Sequence, residues 1–193
     1  MLTKIQARIL PPEEKDNIIE KNLMYTEWCG FLVTFFQELT PEAIAHVTNQ
    51  SNYKIEELME AVELSEDFIL DSMPNILSSL GGPVGADENP GKMYVLTNES
   101  NRFGAGTIMS RAARKKMSEA FPDGAYLLPS SIHEWLMVEK DSATPEDLLD
   151  IVKSINSSIV KGDGFFLADD VFEIIGDGIE SALKNMNGVE DLI

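Results

Sequence analysis

Apolar residues recur along the chain in two periods, and the switches between them outline the expected elements. Pro11-Pro12-Glu13-Glu14 carries prolines that suit a first helical turn and acids that suit its dipole, and Ile18, Ile19 and Leu23 follow at helical spacing. A helix is therefore expected from about Pro12 to Leu23. Gly30-Phe31-Leu32-Val33-Thr34-Phe35-Phe36 is dominated by aromatic and β-branched residues and predicts a buried strand. The next segment is ambiguous: Thr40-Pro41-Glu42 has the form of a helix start, yet Ala43-Ile44-Ala45-His46-Val47-Thr48 reads equally as the return strand of a hairpin. From Ile55 to Leu70 the spacing of Ile55, Leu58, Met59, Val62, Phe68 and Ile69 predicts helix, with a break near Ser65.

Residues 81–91, Gly-Gly-Pro-Val-Gly-Ala-Asp-Glu-Asn-Pro-Gly, read as a long loop. They divide the chain into an N-terminal α+β subregion, residues 1–80, and a ββαββα subregion, residues 92–193, with an extended C-terminal segment; the two can also pack as one compact domain. Beyond the loop, Met93 to Thr97 predicts a strand, Asn98-Glu99-Ser100-Asn101 a turn, and Phe103 to Met109 a second strand closing a hairpin. A basic helix from Ser110 to Phe121 stops at Pro122-Asp123-Gly124, and strands follow at Ala125–Leu128 and Glu134–Val138. Thr144-Pro145-Glu146-Asp147 opens a helix whose buried stripe is Leu148, Leu149, Val152 and Ile155. Phe165-Phe166-Leu167 and Val171 to Ile175 look extended, and Ile179 to Met186 a short helix. Hairpins joined to helices by short links predict an α+β fold on a mainly antiparallel sheet, and disfavour a doubly wound dinucleotide fold.

Charge narrows the classes of partner. The 193 residues include 33 Asp and Glu against 15 Lys and Arg, a formal net charge of −18. Such a field repels DNA, RNA and anionic lipid, so no nucleic-acid partner is expected. No apolar run approaches the roughly 18 residues of a membrane span, and no signal-peptide core precedes Glu13, so neither a membrane partner nor export is expected and the chain reads as cytoplasmic. One Cys excludes an internal disulfide framework, and with only two His it leaves no ligand set for a zinc site. The local exception to the acidity is the helix bearing Arg111, Arg114, Lys115 and Lys116, where Arg111, Arg114 and Lys115 fall at i, i+3, i+4. It reads as a solvated face or as a docking patch for an acidic partner, including an acidic part of a second copy.

Candidate chemistry centres on His133, because any imidazole base must be His46 or His133. Ser130, Ser131 and Glu134 crowd it. In an extended chain Ser131 and His133 share one face and Ser130, Ile132 and Glu134 the other, so Glu134 cannot orient His133 and a triad would need a carboxylate from elsewhere. The structural reading of the same residues is a turn at Pro129-Ser130-Ser131, with Ser131-x-x-Glu134 at capping-box spacing. His133-Glu134 lacks the second ligand of a zinc-protease motif, since residue 137 is Met. Asp163, Asp169, Asp170 and Asp177 lack the spaced ligands of a calcium loop and read as a solvated acidic face. No phosphate-cradling glycine loop occurs, and Cys29 beside Trp28 reads as a buried thiol. No metal and no cofactor is therefore expected.

Met93-Tyr94-Val95-Leu96-Thr97-Asn98, Gly104-Ala105 and Tyr126-Leu127-Leu128-Pro129-Ser130-Ser131-Ile132-His133-Glu134 resemble an uncharacterised bacterial family, the domain of unknown function 5688. The resemblance extends upstream through Trp28 to Phe36, Val47-Thr48-Asn49 and Ile55 to Leu58. It implies that Glu42 to Thr48 is a strand and that this chain is shortened at its N-terminus relative to other members. It carries no activity. With no base, nucleophile and oxyanion donor assembled, the favoured reading is a non-enzymatic module that binds a protein or self-associates through a face around Asn98, Ser130, Ser131, His133, Arg111, Arg114 and Lys115. The alternative is a hydrolase using His133 as general base with Ser131 or Ser130 as nucleophile.

Overall fold

The computed structural model describes residues 4–40, 43–72, 93–157 and 164–187. In chain order the first part comprises β1 (Ile5–Leu10), a 3₁₀ turn (Pro12–Glu14), α1 (Lys15–Glu20), β2 (Tyr25–Trp28), β3 (Phe31–Thr40), β4 (Ala43–His46), α2 (Ile55–Glu63) and β5 (Ile69–Ser72). The second comprises β6 (Met93–Thr97), a 3₁₀ helix (Gly104–Met109), α3 (Arg111–Ala120), β7 (Ala125–Ser131), β8 (Glu134–Glu139), α4 (Pro145–Ile155), β9 (Phe172–Ile175), β10 (Gly178–Ser181) and α5 (Ala182–Asn187). A further 3₁₀ turn, Lys140–Ser142, follows β8. The strands form two antiparallel sheets, so the fold is α+β as expected. One has the order β1-β3-β2 with β4 also on β3; the other has the order β10-β9-β7-β8-β6-β5.

β3 organises the smaller sheet because its aromatic and β-branched residues can be covered on both faces. Phe31, Val33, Phe35 and Phe36 are all buried. Cys29-Gly30, both at positive φ (49° and 84°), makes the two-residue hairpin turn from β2 to β3. That turn exposes Cys29, contrary to the buried thiol expected, and its Sγ accepts from the Ile179 N–H at 3.4 Å. The ambiguous stretch resolves as strand β4, as the family resemblance implies.

Several expectations fail for identifiable reasons. The first helix ends at Glu20 because Asn22 takes a left-handed φ of 53°, after which Leu23 bridges to Thr48. Helix α2 stops at Glu63, and Ile69–Ser72 is a strand, not a helix end, because it completes the edge of β6. Residues 103–109 form no hairpin strand. Phe103 is left-handed (φ 54°), and Gly104 and Gly106 press so closely on neighbouring backbone that a 3₁₀ helix fits where a strand does not; β6 pairs with β5 and β8 instead. Gly178–Ser181 pairs with β9 before the C-terminal helix begins at Ala182. Ile155 lies outside the buried stripe of α4, which is Leu148 and Val152. The expected loop at 81–91 lies outside the described residues.

The main core joins both sheets: Ile9, Phe35, Leu96, Ile108, Leu127 and Trp135 are fully buried members of one cluster. Trp135 packs edge-on against Phe31 and Phe172, while its Nε1–H donates to the Ala105 carbonyl at 2.9 Å. A smaller cluster of Leu128, Val138, Leu148, Val152, Val171 and Ala182 seats α4 on the larger sheet. Burying a side chain of this size contributes about 1.5–3 kcal/mol each, which fixes the rigid frame from which the polar loops project. No helix among the described residues is long and apolar enough to cross a membrane.

Candidate functional site

The Pro129–Glu134 block is the β7–β8 hairpin. Ser131 pairs with Glu134, Ile132-His133 form the turn, and a register shift lies between Pro129 and Ser131. No helix starts here, so the Ser131-x-x-Glu134 spacing is not a capping box. Ser131 Oγ accepts from the His133 N–H at 3.0 Å, a local turn bond, and Ser130 Oγ donates to Glu134 Oε1 at 3.1 Å. Ser130 and Glu134 therefore meet each other and not the imidazole, as the alternation of an extended chain requires. Buried Ile132 ties the turn down: its N–H donates to the Phe165 carbonyl and its carbonyl accepts from the Ala105 N–H.

His133 is half-buried among aromatic rings. Its ring lies 13° from parallel with Phe103, centroids 5.5 Å apart, and meets the edge of Phe165 at 4.8 Å. Nδ1 accepts from the Phe103 N–H at 3.0 Å. Burial, then the positive charges of Arg8 and Arg102, hold this imidazole below its ordinary pKa. The neutral ring with its Nδ1 lone pair engaged carries its proton on Nε2. In that form it has no free lone pair with which to take a proton from a serine.

The face expected around Asn98 is largely internal. Asn98 is buried, its Nδ2 donating to Gln6 Oε1 and the Arg102 carbonyl, its Oδ1 accepting from the Arg102 N–H. Arg114 is buried as well: Nη1 donates to the carbonyls of Ile108 and Met109 at 3.2 and 2.7 Å, and Nη2 lies near Glu63 and Asp177. Arg111 binds Glu63 at 2.7 Å, and that bond holds its pKa above the ordinary value. Lys115 stays exposed, 4.0 Å from Glu119 one turn on. Two of the three cations placed on one helix face thus serve contacts with α2 and the 3₁₀ helix.

The acids have separate jobs. Asp169 accepts from Asn156, Asp170 from Ser181 and from the Val171 N–H, and Asp177 is exposed; Asp163 lies outside the described residues. Among the described residues no cluster of three or more His, Cys, Asp or Glu could hold a metal.

A cleft of about 670 Å³ between α2, the start of β1 and the 65–67 turn was not foreseen. Glu57, Glu60, Glu66, Asp67 and Glu99 line it, with Lys4 at one side. Its apolar lining is Ile5, Ala61 and Leu64, and Leu64 is 61% exposed. The acids at 57, 60, 66 and 67 are visible as a run, but Ile5 and Glu99 join them only when β1 packs beside α2 and the Glu99 N–H donates to Asp67 Oδ1 at 3.3 Å.

No curated protein and no solved structure matches the chain. A family model described as "Family of unknown function (DUF5688)" matches residues 18–173, the span from within α1 to β9 that includes the Pro129–Glu134 hairpin, and the chain belongs to that family.

Proposed function

We propose that the protein is a non-enzymatic binding module whose docking surface is the acidic cleft beside α2, and that its partner is a basic, amphipathic protein segment. The observation that carries this reading is that Glu57, Glu60, Glu66 and Glu99 line one open cleft with the apolar Ile5, Ala61 and Leu64, the fifth acid, Asp67, being held by Gln6 and the Glu99 N–H. Basic side chains answer the acids and apolar ones the apolar lining, the combination a cationic amphipathic helix presents. The acidic partner suggested by the basic helix has less support, since Arg111 and Arg114 are engaged within the fold. Self-association has less support too, because two chains of charge −18 repel. An exposed, unpaired Cys29 suits a reducing compartment, so the cytoplasm stands as the proposed location.

What weighs against the hydrolase alternative is that His133 Nδ1 is already an acceptor and that both serine hydroxyls bond locally. The test is fluorescence anisotropy with a labelled helical Lys/Leu peptide. Binding is expected to weaken with salt, to fall about tenfold, or 1.4 kcal/mol, in a Glu60→Gln/Glu66→Gln variant, and to be absent for a Glu/Leu peptide of the same pattern. Undiminished binding by the variant, or none by the wild type, overturns the reading.

A further inference from the structure

The turn after β6 joins the acidic cleft to His133 through an unbroken run of hydrogen bonds. At the cleft, Asp67 is held by two donors: Gln6 Nε2–H donates to Oδ2 at 2.8 Å and the Glu99 N–H to Oδ1 at 3.3 Å. Gln6, buried in β1, accepts at Oε1 from the buried Asn98 Nδ2–H at 3.0 Å. Asn98 closes the turn by bonding both the N–H and the carbonyl of Arg102. The next residue, Phe103, donates its N–H to His133 Nδ1. Gly104 then leaves no room for a Cβ between the Thr97 hydroxyl, the His133 carbonyl and the Asn98 nitrogen, so the turn and the histidine are seated on one another.

The last link holds in one protonation state only. A neutral imidazole with its proton on Nε2 accepts at Nδ1, whereas an imidazolium carries N–H at both nitrogens and accepts nowhere. Protonation of His133 therefore sets Nδ1–H against the Phe103 N–H across 3.0 Å, a contact of two donors. Turning the ring over does not restore the bond, because it brings a C–H to the same place. Phe103 already sits at a left-handed φ that its contacts must hold, so the lost acceptor falls on a strained residue. The charged groups acting on His133 are Arg8 of β1 and Arg102 of the turn, both cations. Phe103 and Phe165 present rings, Thr97 donates its hydroxyl to the backbone carbonyl, and Glu134 of the same hairpin is bonded to Ser130. That cationic field, with burial, places protonation on the acid side of neutrality.

We infer that His133 is a proton switch for the cleft: its protonation breaks the Phe103 N–H bond, releases the 98–103 turn, and so withdraws Glu99 from the cleft wall and both donors from Asp67. This regulation acts on the docking site proposed above and rests on that reading for its consequence. A cationic segment in the cleft needs Glu99 in place. Its binding and the protonation of His133 therefore oppose each other, by the same factor in each direction.

The experiment is a pH titration of the isotope-labelled full chain by proton–nitrogen NMR, following the backbone N–H groups of Phe103 and Glu99 together with the His133 ring protons. Both N–H groups are expected to shift with the midpoint of the His133 ring. In His133→Asn, whose Oδ1 can accept where Nδ1 did and does not titrate, neither is expected to shift through that midpoint. Should that variant fail to fold, the wild-type midpoints decide alone. A Glu99 N–H that stays fixed through the His133 midpoint, or shifts equally in His133→Asn, overturns the switch. The Lys/Leu peptide at saturation is expected to lower the midpoint by about half a unit, equivalent to roughly threefold weaker binding by the protonated form. A bound peptide that leaves the midpoint unchanged also overturns the switch. Failure of the peptide to bind at any pH overturns the docking reading instead, and the N–H midpoints, measured without peptide, still decide the switch.

Discussion

The backbone N–H of Phe103 donates to Nδ1 of His133 at 3.0 Å while the two rings lie 13° from parallel, so one residue both clamps and covers the imidazole. Phe103 reaches this position only with a left-handed φ of 54°. Such a conformation is unfavourable for an aromatic residue, and the contacts with Arg8, Phe36 and His133 are what hold it.

That clamp makes stability depend on pH with a definite sign. Burial first, and positive neighbours second, lower the folded pKa of both His133 and His46, so the unfolded chain binds protons more readily. Stability from this source is complete above the unfolded value of about 6.5 and declines as pH falls toward the folded values, below which no more is lost. Urea midpoints are expected to drop between pH 7.5 and pH 5.5, and a His46→Gln/His133→Gln variant is expected to show a flatter profile over that interval.

Trp135 is expected to be the most sensitive core position. It is fully buried, and its indole N–H satisfies the Ala105 carbonyl. Trp135→Ala should cost about 3–5 kcal/mol through lost burial and a cavity, and Trp135→Phe about 1–3 kcal/mol through an unpaired buried carbonyl. Denaturant unfolding monitored by far-UV circular dichroism measures both.

Gly106 is required by close approach and not by a special φ. A Cβ placed there falls on the carbonyl of Ala7 in β1, and backbone cannot move aside as a side chain can. Gly106→Ala is expected to destabilise by about 1–3 kcal/mol. Gly30→Ala meets no neighbouring atom and is expected to suffer only from its positive φ, so thermal melts should separate steric from conformational loss.

Arg114 and Arg111 should differ sharply although they are neighbours on one helix. Arg114→Ala removes a buried guanidinium from two carbonyls and is expected to cost about 2–3 kcal/mol. Arg111→Ala breaks an exposed ion pair with Glu63 and should leave the urea midpoint nearly unchanged. Arg114→Lys is expected to restore little, because an ammonium has one nitrogen where the guanidinium uses Nη1 for both carbonyls and Nη2 to face Glu63 and Asp177.

Legibility followed the range of the forces involved. Strands β3, β6, β7 and β8 and helices α3 and α4 could be read directly, because their apolar periods and helix openings are local: Thr144 accepts from the N–H of Asp147 as its position suggested. Phe103–Met109 misled because its apolar residues suit a strand, whereas its conformation is dictated by the backbone of Ala7 and His133 lying against its glycines. Arg111, Arg114 and Lys115 misled similarly: spacing on a helix says which residues share a face but not what covers that face.

By itself the sequence determined the α+β class, the acidic field and the family resemblance, since each depends on composition or on neighbours along the chain, whereas the turn expected at Pro129-Ser130-Ser131 falls at Ile132-His133 because Pro129 and Ser131 pair with β8. Only the tertiary structure decided that Arg8 and His133 pack on Phe103, that Ile5 and Glu99 join α2 in a cleft, and that Arg114 turns inward. Those arrangements rest on strand register and on packing between distant segments, which burial and hydrogen-bond satisfaction fix collectively and no local stretch encodes.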